Sequence, residues 1–407
     1  MGNFSTMDCV DTKIYGPDEY ARYVAVTAQN IKFAPAPSVV HVPGATVWPL
    51  GKPYEHGVYD GAGQFVAASN IVIRPRANQR HACHIAHQYV DDDVLFLGNL
   101  HHHFGHVLLE RMTRAWALLA DKYKNMKCVI VYNSAADNIP EYYLEFLGAL
   151  GVRRDDIIVI KSPTRFRNVY VPELAQGPNF TTDAFAKTFD AIANSVPDND
   201  VKYDRVYVSR GALAMRRTFG ERAVQSVFQK NGYHVIYPET MPIGQQIAII
   251  KNCRMLAGCA GTALHLALFM RPGGTVIQIK RNSKNADNVG HQFLVNQTKH
   301  LKSVFVWASV EDTPTEHFCQ QPQIIGVGKY MQKFMDDAGL KYTSADTVMD
   351  ASEWTEYKNA WRQYRREHGA LSRVKHTLVK VLACAVPGRN NRAAFRNYMK
   401  RVLGISK

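Results

Sequence analysis

The segment from Tyr207 to Lys280 constrains the fold more than any other. It reads YVSRGALAMRRTFGERAVQSVFQKNGYHVIYPETMPIGQQIAIIKNCRMLAGCAGTALHLALFMRPGGTVIQIK. Short β-branched runs alternate with longer stretches of helical spacing, which is how repeated β-α units on a parallel sheet are written. The loops after the strands hold arginines, glycines and one histidine, and open α/β sheets bind ligands at the carboxyl ends of their strands. An α/β fold with a site for an anionic, phosphate-bearing donor is therefore expected here.

Upstream, residues 21–75 read as short strands with proline and glycine turns, from YVAVTA through SVVHV and ATVWPL to QFVAASNIVI. From about Asp91 the pattern becomes α/β again: VLFLG, KCVIVY, DIIVI and NVYVP as strands, with HFGHVLLERMTRAWALLADKY and PEYYLEFLGALG as helices. The spacing predicts an N-terminal α/β domain over 1–195 and a polar hinge near 195–204. A nucleotide-binding domain follows over 196–320, with VFVWAS as its last strand. Residues 321–370 should be helical, with Trp354, Tyr357, Trp361 and Tyr364 at helical spacing, packing back on a domain.

Residues 371–407 form a basic tail. From Ala370 to Lys407 there are nine Lys or Arg and no acid, against a whole-chain net charge of +14. Leu371, Val374, Leu378, Val381, Leu382 and Ala385 share one helical face, and Phe395, Met399, Val402 and Leu403 repeat the scheme. Such helices suit an anionic membrane surface or a hairpin docked on the protein itself. Nucleic acid is not expected as a partner, because the folded part lacks a basic and aromatic stripe. The seven cysteines, Cys9, Cys83, Cys128, Cys253, Cys259, Cys319 and Cys384, have no CxxC spacing and read as reduced thiols. The first residues carry acids and no apolar run, unlike a signal peptide, so a cytoplasmic setting is expected.

Three groups of residues are candidates for chemistry. In the run HHHFGHVLLERMTR, a helix beginning near His103 would stack His102, His106, Glu110 and Arg114 four apart as one polar stripe. His106 and Glu110 are then candidate bases, with His102, His103 and Arg114 on the acceptor side. A zinc site is the competing reading of four histidines, but HExxH spacing is absent and no metal ligands are assigned. The second group, Ser209, Arg210, Arg216, Arg217 and Glu221, follows a strand, where arginines can fork onto phosphate oxygens. The third is the turn from Gly258 to His265, with Gly261 and Thr262, whose glycines permit close approach of a phosphate to the backbone. The DxD spellings at Asp91–Asp93 and Asp198–Asp200 read as turn acids.

Taken in order, HHHFGHVLLERMTRAWAL, YVSR, the arginine pair, GYHVIYPE, QQIAII and AGCAGTALHLALF resemble the family 61 glycosyltransferases, including bacterial capsular polysaccharide members. The resemblance implies a GT-B-like arrangement of two facing Rossmann-like domains, here with a C-terminal helical basic extension. It also implies an inverting mechanism and a nucleotide-sugar donor, usually a UDP-sugar. If the arginines neutralise the departing diphosphate, no divalent metal is required, and no cofactor is expected. Ser209, Arg210, Arg216, Arg217, Glu239, Gln246, Gly258, Gly261, Thr262 and His265 would bind the donor, and Glu110 or His106 would act as base. His265 would touch the diphosphate or the donor sugar. Ala260, Leu266 and Gly220 depart from the family's usual residues, which leaves a non-catalytic glycan- or nucleotide-binding module as the alternative.

Overall fold

The structure is a computed structural model that describes residues 11–49, 56–70, 88–132, 138–213, 218–281, 289–310, 321–368, 370–384 and 386–402. The mixed α/β fold is built on two main sheets. The second, read from Tyr207–Lys280, is six-stranded and wholly parallel. Its strands lie in the spatial order Thr12–Tyr15, Lys302–Trp307, Thr275–Lys280, Met255–Cys259, Arg205–Val208, His234–Ile236. Chain order reverses between Arg205–Val208 and Met255–Cys259, so a topological switch point opens where the carboxyl ends of those two strands diverge.

The first sheet has a parallel centre of Thr164–Pro172, Gln88–Leu100, Lys127–Tyr132 and Ile157–Ile160. Val39–Pro43, Thr46–Trp48 and Gly57–Tyr59 continue it as an antiparallel edge. Loops that leave the carboxyl end of Gln88–Leu100 meet those that leave the carboxyl ends of the second sheet. One apolar core joins the sheets: Leu97, Leu108 and Phe146 share it with Val208, Leu256 and Leu264. Phe269 packs against both Phe146 and Phe189, at centroid distances of 5.9 and 5.4 Å.

Three readings from the sequence need correction. YVAVTA lies in the helix Asp18–Gln29, not in a strand; Tyr20 and Val24 bury one face of it with Phe293 and Phe305. Burial at a spacing of four overrides the β preference of its valines. That helix and the strand Thr12–Tyr15 also belong to the second sheet, so the unit expected over 1–195 donates its first elements to its neighbour. The polar stretch read as a hinge is tied down: Lys251 Nζ bonds the carbonyls of Ala193 and Val196 and pairs with Asp198.

The helix Ala351–His368 buries Tyr357, Trp361 and Tyr364 against Phe219 and Ile324. Helices Ala370–Cys384 and Arg389–Val402 follow it. Among the described residues, no helix is long and apolar enough to cross a membrane.

Candidate active site

Where the loops of the two sheets meet there is a cavity of about 290 Å³, lined by His103, His106 and Glu110 from the first and by Arg210, Thr262 and His265 from the second. A second cavity of about 420 Å³ adjoins it and shares Arg210 and Thr262. Its walls are more apolar: Phe104, Tyr142, Leu213, Met241 and Ile243, with Ser209, Glu239 and Gln246. The two form one site with a polar compartment and a largely apolar one.

The polar compartment takes its shape from an irregular helix. His103 caps one α-turn, Phe104–His106, after which Val107–Arg111 is a π-turn and Met112–Leu119 is 3₁₀. Wide π-turns shift side-chain phase and recur at functional sites. Here the turn keeps His106 and Glu110 in register, with His106 Nδ1 2.5 Å from Glu110 Oε1. Glu110 is 6% exposed and His106 40%, so the carboxylate stands behind the imidazole. Arg111 Nη2 lies 3.4 Å from Glu110 Oε2 and its Nη1 donates to Asn99 Oδ1 at 2.5 Å.

The phase change removes Arg114 from the stripe expected of it. Its side chain is fully buried on the other side, donating to the carbonyls of Pro172, Ala68 and Asn70 at 3.0, 2.6 and 2.6 Å. Burial lowers its pKa to about 9, which leaves it charged at neutral pH. Gly98, at φ +96°, makes room for it: a Cβ there would stand 2.9 Å from Nη1. Arg114 therefore ties the loops of the first sheet together and lines neither cavity. His102 is exposed and precedes the helix; its carbonyl accepts from Tyr142 at 2.6 Å.

Glycine at 105 lets the two halves touch, because a Cβ there would collide with the Thr262 methyl. Gly261 does the same for Arg210, whose Nη1 would lie 2.6 Å from an added Cβ. Gly258 has a different role from the one expected. It lies within the strand Met255–Cys259 and packs against Val208, where a Cβ would meet Cγ2 at 2.6 Å, and it lines neither cavity.

Arg210 joins the compartments. Its backbone N–H donates to Glu221 Oε1 at 3.1 Å, and Tyr207 Oη donates to the same atom at 3.3 Å. Burial lowers the Arg210 pKa to about 10, with Arg281 adding repulsion, so the guanidinium is cationic at neutral pH. The buried Glu221 carboxyl is pushed up by desolvation, opposed by the Arg210 backbone hydrogen bond and by its charge. Ser209 is buried, with Oγ accepting from Gly211 N–H at 3.0 Å. Gln246 donates to the carbonyls of Pro238 and Met241 at 2.7 and 2.8 Å, which fixes the turn bearing the exposed Glu239. His265 is buried, its Nδ1 3.0 Å from Gln292 Oε1, and burial lowers its pKa to about 3. Arg216 and Arg217 lie outside the described residues.

In the polar compartment four polar lining residues escaped the sequence reading, Arg281, His291, Gln321 and Gln323, as did the apolar walls of the second cavity. Arg281 was legible by the rule that picked out Arg210, since it directly follows the strand Thr275–Lys280. His291 lies in the helix Val289–Thr298 without a motif to mark it. The DxD acids are engaged elsewhere: Asp91 and Asp93 pair with Arg167, Asp92 with Lys127, and Asp198 with Lys202 and Lys251. Among the described residues, no group of three or more His, Cys, Asp or Glu is placed to hold a metal ion.

Residues 104–277 match the family model described as Glycosyltransferase 61, and the resemblance read from the sequence is borne out over that segment. The match spans both sheets' contributions, from His106 and Glu110 to Gly261, Thr262 and His265. No curated protein gives a significant match.

Proposed function

We propose that this chain is a family 61 glycosyltransferase that moves a sugar from a UDP-sugar to a glycan hydroxyl, with inversion, between two Rossmann-like halves of a GT-B-type arrangement. The observation that carries this reading is the joining of the two cavities at Arg210 and Thr262, on the switch point of a parallel sheet. The apolar compartment suits a nucleoside. In this reading Phe104 and Tyr142 pack against the base, and Glu239, just past the carboxyl end of His234–Ile236, accepts from ribose hydroxyls. The diphosphate then lies on Arg210, with Arg281 as second cation, and the sugar enters the polar compartment.

In that pose His106 faces the sugar's reacting carbon. The Glu110 carboxylate holds its Nδ1–H, so Nε2 takes the proton of the attacking acceptor hydroxyl as that oxygen bonds to the anomeric carbon. The bond from that carbon to the diphosphate oxygen breaks, and the charge left on UDP falls to the two guanidiniums. Divalent metal and cofactor are not needed in this scheme. Surface or capsular polysaccharide assembly is the process it suits. A thermal-shift panel of nucleoside diphosphates and nucleotide sugars, run with and without EDTA, tests it. Stabilisation by UDP or one UDP-sugar that survives EDTA is expected; no shift from any nucleotide would favour the non-catalytic alternative, and a shift abolished by EDTA would defeat metal independence.

In this reading the tail holds the enzyme at the inner face of the plasma membrane. On the helix Ala370–Cys384, Val374, Leu378, Val381 and Leu382 are 64, 49, 62 and 42% exposed, while Val379 and Ala383 are buried. Exposed apolar residues at 374, 378, 381 and 382 form one stripe in a segment without acids, as binding to an anionic lipid surface requires. Phe395 and Met399 are half-buried, so the second tail helix turns its apolar side inward. Wild-type protein should float with vesicles of phosphatidylcholine and phosphatidylglycerol and not with phosphatidylcholine alone. Val374→Asp with Val381→Asp should abolish flotation without unfolding the chain, and undiminished flotation of that variant would refute the assignment.

A further inference from the structure

Behind the polar compartment a line of buried polar side chains ends on His265. Asn296 Nδ2 donates to Ser303 Oγ at 2.8 Å, and Gln292 Nε2 donates to Asn296 Oδ1 at 2.9 Å. Gln292 Nε2 also lies 3.3 Å from the Leu264 carbonyl. A backbone carbonyl can only accept, so this contact identifies the NH₂ end of the Gln292 amide. Gln292 Oε1, 3.0 Å from His265 Nδ1, must then be the acceptor, and Nδ1 carries the proton.

All four side chains are buried, and among the described residues the bond to the imidazole comes from Gln292, not from a carboxylate. Three histidines, His291, His103 and His106, stand near enough that their protonation would oppose its own. The ring is therefore neutral, and Nε2 carries a lone pair in a cavity that also holds the donors Arg210 and Arg281. Phosphate oxygens flanked by two guanidiniums have no proton to offer such a lone pair. A sugar hydroxyl has one.

We propose that Gln292, Asn296 and Ser303 lock His265 as a hydrogen-bond acceptor that reads a hydroxyl of the transferred sugar and leaves the diphosphate to the arginines. His265 is then a specificity residue, and Gln292 and Asn296 are positioning residues. The sugar part rests on the donor reading above; the tautomer does not.

The test uses the full chain with isotope-labelled histidine rings, and His265→Gln to assign the signal by its absence. Nuclear magnetic resonance should show His265 with a protonated Nδ1 and a bare Nε2, neutral at pH values where exposed histidines are charged. Gln292→Glu, which sets a carboxylate against Nδ1, should make the ring an imidazolium and turn Nε2 into a donor. UDP-sugar affinity should then fall about tenfold or more, the scale of one lost hydrogen bond with a buried group left unpaired, while affinity for UDP alone stays within about twofold. A protonated Nε2 in the wild type would overturn the proposal whether or not the variant folds. Equal loss of UDP and UDP-sugar binding in Gln292→Glu would overturn it as well. If the wild type binds no nucleotide, the donor reading and the sugar part fail together, while the resonance measurement still decides the tautomer.

Discussion

Replacing Glu110 by glutamine should slow sugar transfer by about 10²- to 10⁴-fold, the usual contribution of a positioned general base, and leave donor affinity nearly unchanged. The reason is geometric. Glu110 is too buried to serve as an open base in its own right, yet its Oε1 lies 2.5 Å from His106 Nδ1 and its Oε2 near Arg111. A carboxylate there selects the His106 tautomer with a bare Nε2 and stabilises the imidazolium that forms on proton transfer. The glutamine amide carries no charge and can turn its NH₂ toward Nδ1, leaving the proton on the wrong nitrogen. His106→Ala should cost about as much, and the double variant little more than either single one, because the two act as a unit. Steady-state rates at saturating donor check this. Near wild-type turnover in Glu110→Gln would remove the dyad from the mechanism.

Replacing Arg210 by alanine should cost about 10²- to 10³-fold in rate, on the scale of losing one preorganised donor to a developing charge, and should also weaken UDP binding. Arg210 borders both cavities, and its guanidinium occupies space that only a glycine at 261 leaves open. Lysine should restore little, because a point charge on a flexible stem does not reproduce the planar fork on two phosphate oxygens. Isothermal titration with UDP, alongside turnover, distinguishes this from the Glu110 variant. Loss of turnover with intact UDP binding in Arg210→Ala would place the diphosphate elsewhere.

Much of this was legible because periodicity and loop chemistry agreed. The strands Arg205–Val208, Met255–Cys259 and Thr275–Lys280 are short β-branched runs, and the rule that strand ends bind ligands pointed to Ser209, Arg210 and the turn at Gly261. What escaped depended on long-range pairing or on a local break in helical geometry. The edge position of Thr12–Tyr15 follows from its register with Lys302–Trp307, which no local pattern encodes. A regular helix put Arg114 four residues beyond Glu110 and on the same face; the π-turn Val107–Arg111 shifts the phase and sends it to the carbonyls of Ala68, Asn70 and Pro172. Gly258 and Gly261 look alike in sequence, but one fills a strand and the other makes room for a guanidinium.

The most direct measurement follows release of UDP from a UDP-sugar, and UDP affinity, on the same preparations of wild type, Glu110→Gln and Arg210→Ala. The expected result is slow donor breakdown by the wild type, nucleotide binding without breakdown by Glu110→Gln, and loss of both by Arg210→Ala. Equal donor breakdown in all three proteins would contradict a transfer site at the junction of the two sheets.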